Sequence, residues 1–141
     1  MRSLPLCLCL AAMMAAASAR GDILPVPDPG PFTGEAAGLQ FAVTEVDVVM
    51  PPVNPRYHKR IQVTVLSGCV DGHPNCALAH AQHLIGMEIA SVNDGYLRSD
   101  KGMVNQLLSA FADPSGRKTV TLELFSRQSE NRPLKVSFAR Q

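Results

Sequence analysis

Tryptophan is missing from this chain of 141 residues, and its other aromatic side chains come to two tyrosines and five phenylalanines. That leaves no evident platform on which bases or sugars would stack, and it leaves the core to Val, Leu, Ile and Ala. No charge of one sign dominates either, with 13 Lys and Arg against 12 Asp and Glu. Without a block of cations to neutralise phosphates, nucleic acid and anionic lipid surfaces are not expected partners. A Gly-x-Ser-x-Gly elbow is also lacking, and spacing assigns no His and acid to Ser67 as base and orienter. The expectation is therefore a protein that is not an enzyme and needs no cofactor. Glu45 and Asp47 share a strand face and read as a solvated acidic edge rather than a catalytic pair.

What is present begins with export. Arg2 precedes an apolar run from Leu4 to Ala17, and the run closes on Ala17-Ser18-Ala19, the small-x-small pattern that signal peptidase accepts. This run is shorter than the roughly 20 residues of a bilayer-spanning helix. Residues 1–19 thus read as a cleavable signal peptide that takes Cys7 and Cys9 with it. The mature chain is expected in the periplasm or outside the cell, with no membrane insertion after cleavage. Removing 19 residues leaves 122, one domain's worth, and losing Arg2 leaves 12 basic residues against 12 acidic ones.

The mature chain divides into a tail and a patterned body. Pro25, Pro27, Pro29 and Pro31 make residues 20–37 a Pro-rich linker or arm, extended and without a regular ladder. Leu39 to Val49 reads as a strand stopped by Pro51-Pro52, and Tyr57 to Arg60 as a polar loop. Ile61, Val63 and Val65 then alternate with Gln62 and Thr64, a strand expected to turn the aliphatic set to the core and to end at Ser67-Gly68. Cys76 to Ile85 reads as a short helix and Met87 to Val92 as a strand, with Asp94-Gly95 as a tight turn before Tyr96-Leu97. Ser99 or Asp100 is placed to cap a helix running to about Phe111. Val120, Leu122 and Leu124, then Leu134, Val136 and Phe138, alternate as two closing strands joined by a polar loop from Arg127 to Arg132.

Cys69 and Cys76 flank a turn-rich segment, and export places them where oxidation is normal, so a disulfide is expected. The competing reading is a metal site. Cys76, His80 and His83 fall at i, i+4 and i+7 of a helix with His73 nearby, donors that zinc or copper would accept if Cys76 were a thiolate.

The order of elements carries a resemblance. A strand opening on Gly38-Leu39-Gln40-Phe41, a strand ending in Ser67-Gly68, a short helix, Gly86-Met87-Glu88-Ile89-Ala90-Ser91-Val92-Asn93, a longer helix and a closing hairpin from Lys118 together resemble the bacterial PDZ domain of exported proteases. The resemblance covers about Gly38 to Arg140. It implies an α+β fold, a small partly open β-barrel or sandwich of five or six strands with two helices, over residues 38–141. It further implies a module that binds an extended or C-terminal peptide by adding it as a strand, with the carboxylate held by backbone amides. Carried over, those amides belong to Leu39, Gln40 and Phe41, and the helix side of the groove to Met103, Leu107 and Ala110. A shift of one residue would substitute Val104, Leu108 and Phe111. Gln40 stands where the family usually has glycine, and Met87 where it has aspartate. A third reading is a structural domain that packs into an envelope or extracellular assembly through its Pro-rich arm.

Overall fold

A computed structural model describes residues 26–49, 58–115, 117–128 and 132–141. The signal segment 1–19, the start of the arm and the Pro51-Pro52 break lie outside the described residues. Among the described residues the fold is α+β, a single antiparallel sheet with two α-helices. Its strands are β1 (Thr33–Ala36), β2 (Leu39–Val49), β3 (His58–Cys69), β4 (Glu88–Val92), β5 (Gly95–Tyr96), β6 (Thr119–Phe125) and β7 (Leu134–Ala139). Helix α1 (Pro74–Ala81) follows β3, and helix α2 (Met103–Ala112) follows β5. Spatially the order is β1-β2-β3-β4-β6-β7, with β5 paired to β4 beside that path. Seven strands thus stand where five or six were expected. The additional strand at the sheet edge is β1, formed from residues of the arm.

The core is aliphatic, as the composition requires. Leu39, Leu66, Leu84, Leu107, Leu122, Leu124 and Phe138 are wholly buried, and Phe41 meets Phe111 with ring centroids 6.0 Å apart. Each such side chain contributes about 1.5–3 kcal/mol on leaving water. The closing hairpin forms as its alternation predicts, Val120 pairing with Phe138 and Leu122 with Val136. Leu134, at its loop end, stays 41% exposed.

Three sequence expectations need correction. First, the core side of β3 is the Thr64 and Leu66 side, while Ile61, Val63 and Val65 are half-buried on the other face. Phe41 lies opposite Leu66, Ala42 opposite Val65 and Val46 opposite Ile61, so both faces of the β2–β3 ribbon carry apolar residues. A two-residue period fixes which residues share a face, and it cannot by itself say which face is inside. Second, Lys59 and Arg60 belong to β3, where the pairing with Val48 and Asp47 draws them out of the expected loop. Arg60 reaches Asp47 at 3.2 Å and Glu45 at 3.8 Å, so the acidic edge is an exposed ion-pair cluster. Third, the β4–β5 turn sits one residue earlier than Asp94-Gly95. Asn93 and Asp94 carry its positive φ values of 49° and 66°, and Gly95 already pairs with Val92.

Candidate functional site

The site builds from the arm. At Asp28-Pro29-Gly30 the chain turns, with the Gly30 N–H donating to Asp28 Oδ1 at 2.8 Å, the side-chain bond that makes Asp a turn residue. Beyond it, β1 runs antiparallel to β2, Gly34 opposite Phe41 and Ala36 opposite Leu39. The ladder continues one step outward, where the Val43 N–H donates to Phe32 O at 2.7 Å. Bonded pairs alternate along an antiparallel ladder, so the Leu39 and Phe41 amides face β1 as that of Val43 does, and the Gln40 amide faces away. Ala37 and Gly38, at φ 50° and 77°, close the hairpin, both left-handed as a two-residue turn with the twist of its strands requires.

This arrangement bears on the residues named for peptide capture. Leu39 and Phe41 have their side chains in the core, and their backbone edge is already paired with the chain's own arm. The segment preceding β2 is a tight hairpin rather than an open loop around a carboxylate. Gln40 does not obstruct this edge by its side chain, which folds over Gly68; a Cβ built there would meet Gln40 Oε1 at 2.6 Å.

Helix α2 forms the other wall. Its Leu107 is wholly buried in the core, Met103 is buried and Ala110 half-buried. The side chains found against β1 are those of the shifted register: a Cβ on Gly34 would stand 2.6 Å from Val104 Cγ1 and 3.2 Å from Leu108 Cδ1. Neither Ser99 nor Asp100 caps this helix. Ser99–Lys101 form a separate 3-10 turn, and Gly102, at φ 78°, stands at the N-cap position with no side chain to offer. The acceptor comes from the arm, Asp28 Oδ2 taking the Met103 N–H at 2.8 Å. Asp28 is 4% exposed, and its own N–H donates to Gln62 Oε1 at 2.6 Å. The segment read as a loose arm is therefore anchored from Asp28 onward.

The cysteine and histidine cluster resolves differently. Cys69 and Cys76 form a disulfide, Cα atoms 5.2 Å apart. His80 Nε2 lies 3.6 Å from Cys69 Sγ, so Cys69, Cys76 and His80 bring their donor atoms within 4.8 Å of one another. His73 is occupied as the cap of α1, its Nδ1 accepting from the Asn75 N–H at 3.1 Å, and its ring lies where any side chain on Gly38 would collide. His83 follows the helix, exposed and at φ 55°. Among the described residues, His73 and His83 do not join the metal-competent group.

Sequence reasoning missed Asp28, Gly34 and Asn75. Asp-Pro-Gly is a readable turn signal. The short alternation ending in Ala37-Gly38 would have given a hairpin only to a reader willing to place alanine at positive φ. Asn75 carried no signal at all. Its side-chain Nδ2 donates to Ala37 O at 2.8 Å and to Ala139 O at 2.7 Å, while its Oδ1 accepts from the Ala139 N–H at 2.9 Å. It thereby ties the β1–β2 turn to β7, the opposite edge of the sheet.

The chain matches no family model, no curated protein and no solved structure.

Proposed function

We propose that the chain is an exported, PDZ-like binding or adaptor domain that recognises an extended or C-terminal peptide by β-strand addition. The proposal gives it no catalytic role and no cofactor. The observation that carries this reading is the placement of β1, a short extended segment laid along β2 and packed against α2 at Val104 and Leu108. A ligand strand in a β-augmentation groove makes the same two kinds of contact, backbone bonds to a sheet edge and side-chain contacts to a flanking element. The signal-like residues 1–19 and the Cys69–Cys76 disulfide support export to an oxidising compartment, periplasmic or extracellular. The test is a capture experiment with a peptide library on the purified mature chain, run with free and with amidated C-termini. The same capture is run on a Gly34→Val chain, whose arm no longer fits the groove; enrichment of extended sequences by either supports the reading, and two folded chains that retain none contradict it.

One observation favours a second reading, the convergence of Cys69, Cys76 and His80. Two thiolates and one imidazole would suit zinc or copper(I), but only after reduction of the disulfide. A thiol assay on the native protein separates the two. Two reactive thiols support a metal-binding protein, and none supports the structural bridge.

A further inference from the structure

We infer that the groove between β2 and α2 takes, from another molecule, an internal strand bearing a carboxylate six residues before a glycine, the pattern that Asp28 and Gly34 supply within the chain. This rests on the strand-addition reading and names the ligand class of that site.

Two anchors define the pattern. The first is the start of α2. The first N–H groups of a helix have no partner within it, and Gly102 has no side chain with which to supply one. The carboxylate of Asp28 fills that place, bonded to the Met103 N–H and almost wholly buried; a negative charge there also meets the positive end of the helix dipole. The second anchor is the contact between β1 and α2. A Cβ there would stand 2.6 Å from Val104 Cγ1, so any other strand residue would have to push aside a wholly buried, β-branched side chain, and glycine is the residue that fits without that shift. The site also accepts a strand without a terminus: beyond Ala36 the chain runs on through Ala37 and Gly38, with no carboxylate at its end.

Besides these two anchors the arm has the β1–β2 ladder, the Asp28–Gln62, Phe32–Val43 and Ala37–Asn75 bonds, and the small side chains of Ala36 and Ala37 against the core, so it is tied mainly by polar contacts. Its β1 spans four residues, and its large apolar side chains Val26 and Phe32 remain 59% and 53% exposed. Its pivot includes Ala37 in a left-handed conformation that side chains rarely adopt. Segments with few buried apolar contacts open at low free energy, without unfolding the remainder. The resident arm therefore competes with an incoming strand chiefly through its effective concentration, of order millimolar for a short tether.

The experiment uses the mature chain and two variants that loosen the arm by different means, Gly34→Val and Asp28→Ala. Hydrogen exchange at β1 and β6 reports arm release and an intact core separately. The probe is a fluorescent peptide of residues 26–36, acetylated and amidated. Binding to either released variant is expected to be about tenfold or more tighter than to the unaltered chain, where the arm competes. Asp28→Asn in the peptide should weaken binding by about threefold, the weight of a carboxylate at a helix N-terminus. Gly34→Val in the peptide should abolish it. Persistent protection of β1 in both variants overturns the inference, as does equal binding to variant and unaltered chain. If only peptides with a free C-terminus bind the released variants, the internal-strand inference fails and strand addition stands. If released, folded variants bind no peptide of either kind, both fail.

Discussion

The carboxylate of Asp28 accepts the backbone N–H of Met103 at 2.8 Å across 75 positions of sequence. A proline-rich arm thus supplies the cap of a helix whose own preceding residue is glycine. Replacing Asp28 by Ala removes the acceptor and leaves a buried N–H, and it should lower stability by about 1–2 kcal/mol, the usual range for a lost cap. Asn keeps an acceptor and should cost less. Urea unfolding of the two variants checks the order.

Asn75 makes a second long-range tie. With 2% of its surface exposed, it bonds three backbone groups on opposite sides of the sheet. Asn75→Ala removes the partner of all three; Ala139 is exposed, so water takes up part of the loss, and the variant should destabilise by roughly 2–4 kcal/mol, against about 1–3 kcal/mol for each group left buried without a partner. Asn75→Asp keeps the acceptor for Ala139 N–H and turns a carboxylate oxygen toward the Ala37 and Ala139 carbonyls. It should be no milder than Ala, and a mild Asp variant measured by thermal unfolding would contradict the geometry.

Thr64 points the other way. Its Oγ1 is buried with no hydrogen-bond partner among the described residues. Thr64→Val keeps the shape and removes the unsatisfied hydroxyl, and should raise stability by about 1 kcal/mol. A loss of stability in the same assay would mean that the hydroxyl has a partner after all.

One pH dependence follows from Asp113, just past the end of α2. The Ser115 hydroxyl, then the Ser115 N–H, hold its carboxyl below the ordinary value of 3.8, helped by the charges of Arg140 and Arg117 and opposed by partial desolvation. A carboxyl whose folded pKa is lowered contributes stability above its unfolded value, and loses it as pH falls through the folded one. Ser115→Ala should therefore destabilise near neutral pH, with the difference from the unaltered chain shrinking once pH drops below 3.8. Parallel unfolding titrations of the two proteins read this directly, and a difference that grows toward acid would contradict the assignment.

Legibility in the sequence followed the range of the interactions. The β6–β7 hairpin, the strand over Glu88–Val92 and the Cys69–Cys76 bridge rest on alternation or on close spacing, and each was readable from a few neighbouring residues. The start of α2 was misread because its cap lies 75 positions away, and local chemistry offered Ser99 and Asp100 instead. The inside face of β3 was misread because Ile61, Val63 and Val65 out-number Leu66 in any local window. The choice between faces came from Phe41 opposite Leu66, a cross-strand pair that no window contains. The arm was the largest omission. Alternate prolines argue against a ladder, yet the four residues Thr-Gly-Glu-Ala beyond the last of them are proline-free and long enough to pair. What draws them to the sheet is an edge and a helix wall made by residues far along the chain.

In the native protein the β2 edge is occupied by the chain's own β1. Residue-resolved hydrogen exchange tests it most directly, read at the amides of Gly34 and Ala36, whose ladder partners are Phe41 and Leu39. In the unaltered chain, occupancy by β1 gives exchange at both that is slower than in an unstructured peptide but faster than at β6, as a segment that opens locally requires, and in Gly34→Val it gives way to exchange near the unstructured rate, with β6 protected in each. Exchange at Gly34 and Ala36 as fast as in an unstructured peptide, in a chain whose β6 is protected, would contradict it.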